Sequence, residues 1–158
     1  MPGTRILDTL ASEFSDAADT DQIVRILVRL AMAAMLGGLV GRQRERMRKA
    51  AGMRTHMLIA MGAALFVLVP ERSGVPLADM SRVIQGVIAG IGFLGAGAIL
   101  KNQSEVSIVG LTTAAGVWMT AAIGVACGLG REATAVISTL LTLGVFALIP
   151  KVQTPNDS

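Results

Sequence analysis

Residues 108–129 read IVGLTTAAGVWMTAAIGVACGL, a stretch without one charged side chain. A chain carrying such a segment must bury it whole or place it in lipid, where a helix needs ~17–25 residues to cross about 30 Å of hydrocarbon. Burial is ruled out by the rest of the sequence. Of 158 residues 53% are apolar and 16% charged, against about 25% charged in an ordinary soluble domain. Mean hydropathy is +0.63. A chain this short has too little interior for that surplus, so its exterior is expected to be lipid. Five stretches are candidates to span: 23–41, 55–70, 83–100, 108–129 and 133–150. The first is interrupted by Arg25 and Arg29, and the second is short. The stretches are too long and continuous for barrel strands of about ten alternating residues, and backbone in lipid must satisfy its own hydrogen bonds. The expected fold is therefore all-α, a polytopic membrane bundle of about five transmembrane helices.

Residues 1–22 are expected to form an extracytoplasmic segment, 23–150 the transmembrane domain and 151–158 a cytoplasmic tail. The first twenty residues hold four acids, with Ile6, Leu10 and Phe14 spaced as on a short surface helix or in a loose tail. An acidic beginning and an apolar run broken by arginines argue against a cleaved signal peptide. Orientation follows from the loops. Arg42, Arg44, Arg46, Arg48, Lys49 and Arg54 face the single acid Glu45 between spans one and two, which assigns that loop to the cytoplasm. Balanced charges at 71–82 and 130–132 suit the other side. The N-terminus is thus expected outside and the C-terminus inside, on the cytoplasmic face.

Span three contains Gly90-x-Gly92-x-x-Gly95, which spells a dinucleotide-binding fingerprint. That pattern has meaning only after a strand, at the opening of a helix, and with an acid about 20 residues on. Here the upstream SRVIQGVIAG runs on without turn punctuation, and the first acid downstream is Glu105. No cofactor is expected. At 100° per residue Gly86, Gly90 and Gly97 share one stripe, with Gly92 and Gly95 on roughly the opposite face. Small residues let backbones approach closely in lipid, so span three is expected at the centre with neighbours on both faces; a glycine-lined solute path is the alternative. Gly37/Gly41 and Gly124/Gly128 repeat the four-residue spacing.

The basic block holds like-charge pairs Arg42/Arg46 and Arg44/Arg48 beside one favourable pair, Glu45/Lys49. Anionic lipid headgroups are the expected counter-charge, with an acidic protein partner as the sharper alternative. A pI of about 9.8 does not point to nucleic acid, because the basic residues are not interleaved with aromatics. Arg25 and Arg29 lie one turn apart and are expected to snorkel to headgroups; facing inward, they would meet Asp79 or Glu71. His56 is expected as an interfacial polar residue. Cys127 stands alone, so an intramolecular disulfide and a multi-cysteine metal cage are excluded. No Asp or Glu falls within a span, which disfavours an intramembrane cage for Mg²⁺, and no nucleophile, base and orienter constellation or phosphate loop is recognisable. No enzymatic activity is expected.

Three motifs in order, AAGMRTHMLIAMGAALF at 50–66, SRVIQGVIAGIGFLGAGAILK at 81–101 and VGLTTAAGVWMTAAIGVACGLG at 109–130, resemble the membrane domain of the MgtC/SapB family over about residues 30 to 150. The resemblance implies an inner-membrane protein associated, in several pathogens, with growth at low magnesium, virulence and survival inside macrophages. It implies action on other membrane proteins, with the proton-driven ATP synthase among those proposed, rather than an established transport activity. A transporter or channel for Mg²⁺ or another small ion, with a polar path between spans three and four through Thr112, Thr113 and Thr120, is the alternative. Carried over by motif, the functional positions would be Gly52, Arg54 and Thr55, the glycines of span three, and Gly110, Thr112, Thr113 and Trp118, to which Arg44 and Asp79 are added as candidate docking residues. Membrane lipids and a second copy of the chain are further expected partners. Many relatives have Glu then Arg after span one where this chain has Gln43-Arg44, which removes a carboxylate. The loop NQSEVSI after Lys101 is longer than in some members, and the soluble C-terminal domain of some relatives has no counterpart by residue 158; regulation through it is not expected.

Overall fold

A computed structural model describes residues 2–13, 19–101 and 108–148. The described chain is a helical membrane bundle: α1 Pro2–Glu13, α2 Thr20–Arg46, α3 Met53–Arg72, α4 Leu77–Gly97, α5 Leu111–Gly128 and α6 Glu132–Leu148. Helices α2 to α5 are each long and apolar enough to cross a membrane. The apolar α6, with 17 residues, is about 25 Å long. Leu100–Lys101 (β1) pairs antiparallel with Ile108–Val109 (β2) between α4 and α5. The expected tail at 151–158 lies outside the described residues, as does Phe14. The acidic N-terminal stretch does contain a helix, α1, whose Ile6, Leu7 and Leu10 are exposed.

Sequence chemistry sets the helix ends. The Asp19 side chain accepts the Asp21 N–H at 3.0 Å, relieving one orphan donor at the start of α2. At the start of α3 the cap comes from farther away: Glu45 Oε2 accepts the Met53 N–H at 3.0 Å, an acid where the helix dipole favours one. The turn into α5 depends on Gly110 at φ +97°, where a Cβ would collide with the Ala98 carbonyl oxygen.

The core lies where small residues bring α2, α3 and α5 together. A Cβ on Gly37 would stand 2.6 Å from the His56 carbonyl oxygen, and one on Gly41 2.6 Å from Met53 Cα. On the same stripe of α3, Gly124 and Gly128 of α5 press on the carbonyls of Ala60 and Ala64. Ala33, Leu36, Val40, Ala60, Ala64, Ile123 and Cys127 fill the space between, with Ala135 from α6. Helix α5 touches α2, α3, α4 and α6.

This corrects the expected centre of the bundle. Within one chain the glycine-rich α4 is peripheral, with 6% of its spanning window buried against 50% for α5. A Cβ on Gly86, Gly90, Gly92 or Gly97 would meet nothing within 4 Å; Gly95 alone approaches a neighbour, Ala114. Close packing through glycine is the correct principle, realised on α2 and α5. Composition could not reveal this, because glycine density measures how near a backbone can come and not whether another backbone is there.

The end of the bundle opposite the basic loop is tied by Arg29. Its guanidinium donates to Glu71 Oε2 at 3.1 Å and to the Gly128 carbonyl at 2.9 Å, joining α2 to the ends of α3 and α5. The expected snorkelling pair is therefore split: Arg25 is exposed, while Arg29 takes the inward alternative with Glu71. Arg72 donates to Gln22 nearby. Arg29→Gln should lower the midpoint of thermal unfolding in detergent by ~2–4 °C, about 1 kcal/mol for a part-exposed charged contact. An unchanged midpoint would mean the clamp contributes nothing.

Candidate functional site

At the basic end, four helices enclose a polar cluster. Arg44, in the last turn of α2, is 1% exposed. It enters the bundle because Leu36, Gly37, Val40, Gly41 and Arg44 recur at three- and four-residue steps along the buried face of α2. Its Nη2 donates to Thr113 Oγ1 on the first turn of α5 at 3.3 Å, and its guanidinium lies 4.5 Å from the centroid of the Phe146 ring of α6. That stacking partly offsets the lost hydration. Nε has no hydrogen-bond partner among the described residues, and no carboxylate among them pairs with Arg44.

His56, at the start of α3, is fully buried, and its Nδ1 lies 2.7 Å from Thr120 Oγ1. The Thr120 hydroxyl donates back to the Gly116 carbonyl at 2.8 Å. It therefore accepts from His56, which assigns the ring proton to Nδ1 and leaves Nε2 as an acceptor. Gly116 is where the parts converge: a Cβ there would lie 3.2 Å from Phe146 Cζ and 3.7 Å from His56 Cε1. The histidine is thus inside the bundle rather than at the interface. The signal was in the sequence, since His56 stands four residues before Ala60 and eight before Ala64 on the face that meets α2 and α5.

Of the expected positions the structure brings together Arg44 and Thr113. Gly52 caps α3 beside Glu45, 3.2 Å from where its Cβ would be. Arg54 and Thr55 are exposed and line a groove of about 540 Å³ shared with Gly97 and Phe93 of α4. Asp79 is exposed in the first turn of α4, at the other end of the bundle. Trp118 is 49% exposed, and Thr112 is exposed too. The polar path of the alternative reading, between spans three and four, is not assembled among the described residues. Thr113 and Thr120 are buried, Thr113 bonded to Arg44 of α2 and Thr120 to His56 of α3 and to its own helix. Gly86 and Gly90 line a separate apolar groove of about 640 Å³ between α3 and α4.

The cluster can hold a positive charge within the bundle and offer directed donors and one acceptor beside it. It cannot ligate a hard divalent cation, which wants carboxylate or carbonyl oxygen. Among the described residues no group of three His, Cys, Asp or Glu is placed to hold a metal ion.

Comparison with known proteins bears on the whole span. The sequence profile of the MgtC family matches residues 30–154. Protein SrpB of Synechococcus elongatus is 44% identical over 73% of this chain and 69% of its own length. An Escherichia coli K12 protein bearing the name "Putative magnesium transporter YhiD" is 44% identical over 76% of this chain and 60% of its own length. Protein MgtC of Brucella abortus is 45% identical over 78% of this chain and 51% of its own length. The chain therefore spans between about half and seven-tenths of these relatives. No solved structure matches.

Proposed function

The chain belongs to the MgtC family, and from that premise we propose that it is a non-enzymatic, multi-pass inner-membrane protein acting in adaptation to low magnesium by modulating another membrane protein. The family resemblance and the naming of the YhiD relative for magnesium transport support the link to magnesium. One observation favours modulation over transport, namely the guanidinium of Arg44, buried where α2, α3, α5 and α6 converge. A divalent cation passing within ~5 Å of it would meet a repulsion on the order of several kcal/mol even at an effective dielectric constant of about 20. Arginines placed in this way exclude cations from pores. The basic end, with Arg42 and Arg46 at the close of α2, Arg48 and Lys49 in the connection and Arg54 at the start of α3, faces the cytoplasm in this reading, and the N-terminus the periplasm.

Growth and uptake separate the two roles. A bacterial strain deleted for its own family member and supplied with this chain should regain growth at limiting magnesium while its initial rate of Mg²⁺ uptake stays unchanged. Rescue accompanied by a raised uptake rate that Arg44→Met abolishes would identify a carrier instead.

A further inference from the structure

The outer face of the α2–α6 pair carries a groove of about 520 Å³ that is unrelated to the buried cluster. Leu39, Leu143, Gly144 and Ala147 make its apolar part, and Arg42, Gln43 and Arg46 its polar end. Arg42 and Arg46 are both exposed and stand one turn apart on α2, so two guanidinium groups repel each other along one wall. Glu45, the acid nearest in sequence, is engaged at the start of α3. Gln43 donates from Nε2 to the Leu143 carbonyl at 3.4 Å, and its Oε1 has no partner among the described residues. A Cβ on Gly144 would meet nothing within 4 Å, so the groove floor is open along the helix.

We infer that this groove is a binding site for one anionic phospholipid whose headgroup carries a hydroxyl, of the phosphatidylglycerol type. The phosphodiester lies between Arg42 and Arg46, where charge-assisted hydrogen bonds replace mutual repulsion. The acyl chain covers Leu39, Leu143 and Ala147. Gln43 Oε1 is buried without a partner among the described residues, and by releasing the long Nε2 bond to Leu143 the side chain turns it outward to accept from the headgroup hydroxyl. Charge selects the occupant: two arginines on an apolar groove at the end of α2 and the apolar α6 favour an amphiphile with a net negative charge, whereas a zwitterionic lipid neutralises neither on balance and brings a cation of its own beside them. This site is more specific than general attraction between a basic loop and a membrane surface, because Arg48 and Lys49, in the same loop, do not line it.

Native mass spectrometry of the full chain in detergent, titrated with phosphatidylglycerol or with phosphatidylethanolamine, tests the site. The first phosphatidylglycerol should bind at least ~10-fold more tightly than phosphatidylethanolamine. Arg42→Gln with Arg46→Gln should erase that preference, whereas Arg48→Gln with Lys49→Gln should leave it. Gln43→Glu, which sets a carboxylate between the arginines, should weaken phosphatidylglycerol binding, and Gly144→Phe should do so by filling the groove, with unfolding midpoints confirming that both variants are folded. Equal affinity for the two lipids would overturn the inference. So would an equal loss in the Arg48/Lys49 variant, which would reduce the effect to diffuse charge.

Discussion

Gly124→Leu should all but eliminate folded protein from the membrane fraction, while Gly90→Leu should accumulate and unfold like the parent. At Gly124 the obstacle is the Ala60 carbonyl, whose carbon a Cβ would approach to 2.9 Å. Backbone cannot rotate out of the way as a side chain can. Helices α3 and α5 would have to separate along the seam that also holds Gly128 against Ala64. Overpacking a well-filled site typically costs 1–3 kcal/mol, and a collision with backbone belongs above ~3 kcal/mol, against roughly 5–15 kcal/mol of stability in an ordinary domain. Gly90 has open space around it, and surface substitutions usually fall within about 0.5 kcal/mol. Yield in the membrane fraction and the thermal midpoint of the purified protein are the readouts. A stable Gly124→Leu protein would contradict the α3–α5 contact, and an unstable Gly90→Leu protein would contradict the peripheral placement of α4.

Arg44→Met should separate stability from function. Methionine keeps an apolar body of similar volume, though a shorter reach, and removes the guanidinium, whose only hydrogen bond among the described residues is to the Thr113 hydroxyl and which stacks on Phe146. Replacing buried ionic groups with apolar residues of similar volume is often neutral or stabilising by ~1–4 kcal/mol. The variant should therefore unfold at the same temperature as the parent or higher, yet fail to restore growth at limiting magnesium. Arg44→Ala should lose stability, since it also removes the buried stem and leaves a cavity. If Arg44→Met is strongly destabilised, the charge holds the bundle together; if it rescues growth fully, the charge has no part in the activity.

The helical class, the spans and the basic loop were legible in the sequence, because lipid imposes length and apolarity one segment at a time. What could not be read was which faces meet. The motif Gly90-x-Gly92-x-x-Gly95 drew attention to α4, but the close approaches of one spanning helix to the backbone of another belong to Gly37, Gly41, Gly124 and Gly128, whose spacing was visible and whose neighbours were not. Arg44 looked like one more member of a charged block. Its burial comes from periodicity, as it continues the face of Gly37, Val40 and Gly41, while Arg42 and Arg46 fall on the opposite, exposed side. His56 and Thr120 lie 64 residues apart, and only the crossing of α3 with α5 makes them partners. Glu45 gave no hint of capping a helix eight residues later. Residues that act within one helix are marked by local spacing; those that act across helices are marked only by the packing.

The measurement that bears most directly on the central claim is Mg²⁺ entry into sealed proteoliposomes holding the purified chain and an internal magnesium-sensitive dye, with protein-free vesicles and an ionophore as controls. With Arg44 charged inside the bundle, entry should not rise above the protein-free rate, and Arg44→Met should not raise it. Saturable entry that a folded Thr113→Val protein loses would contradict the account and make the chain a carrier.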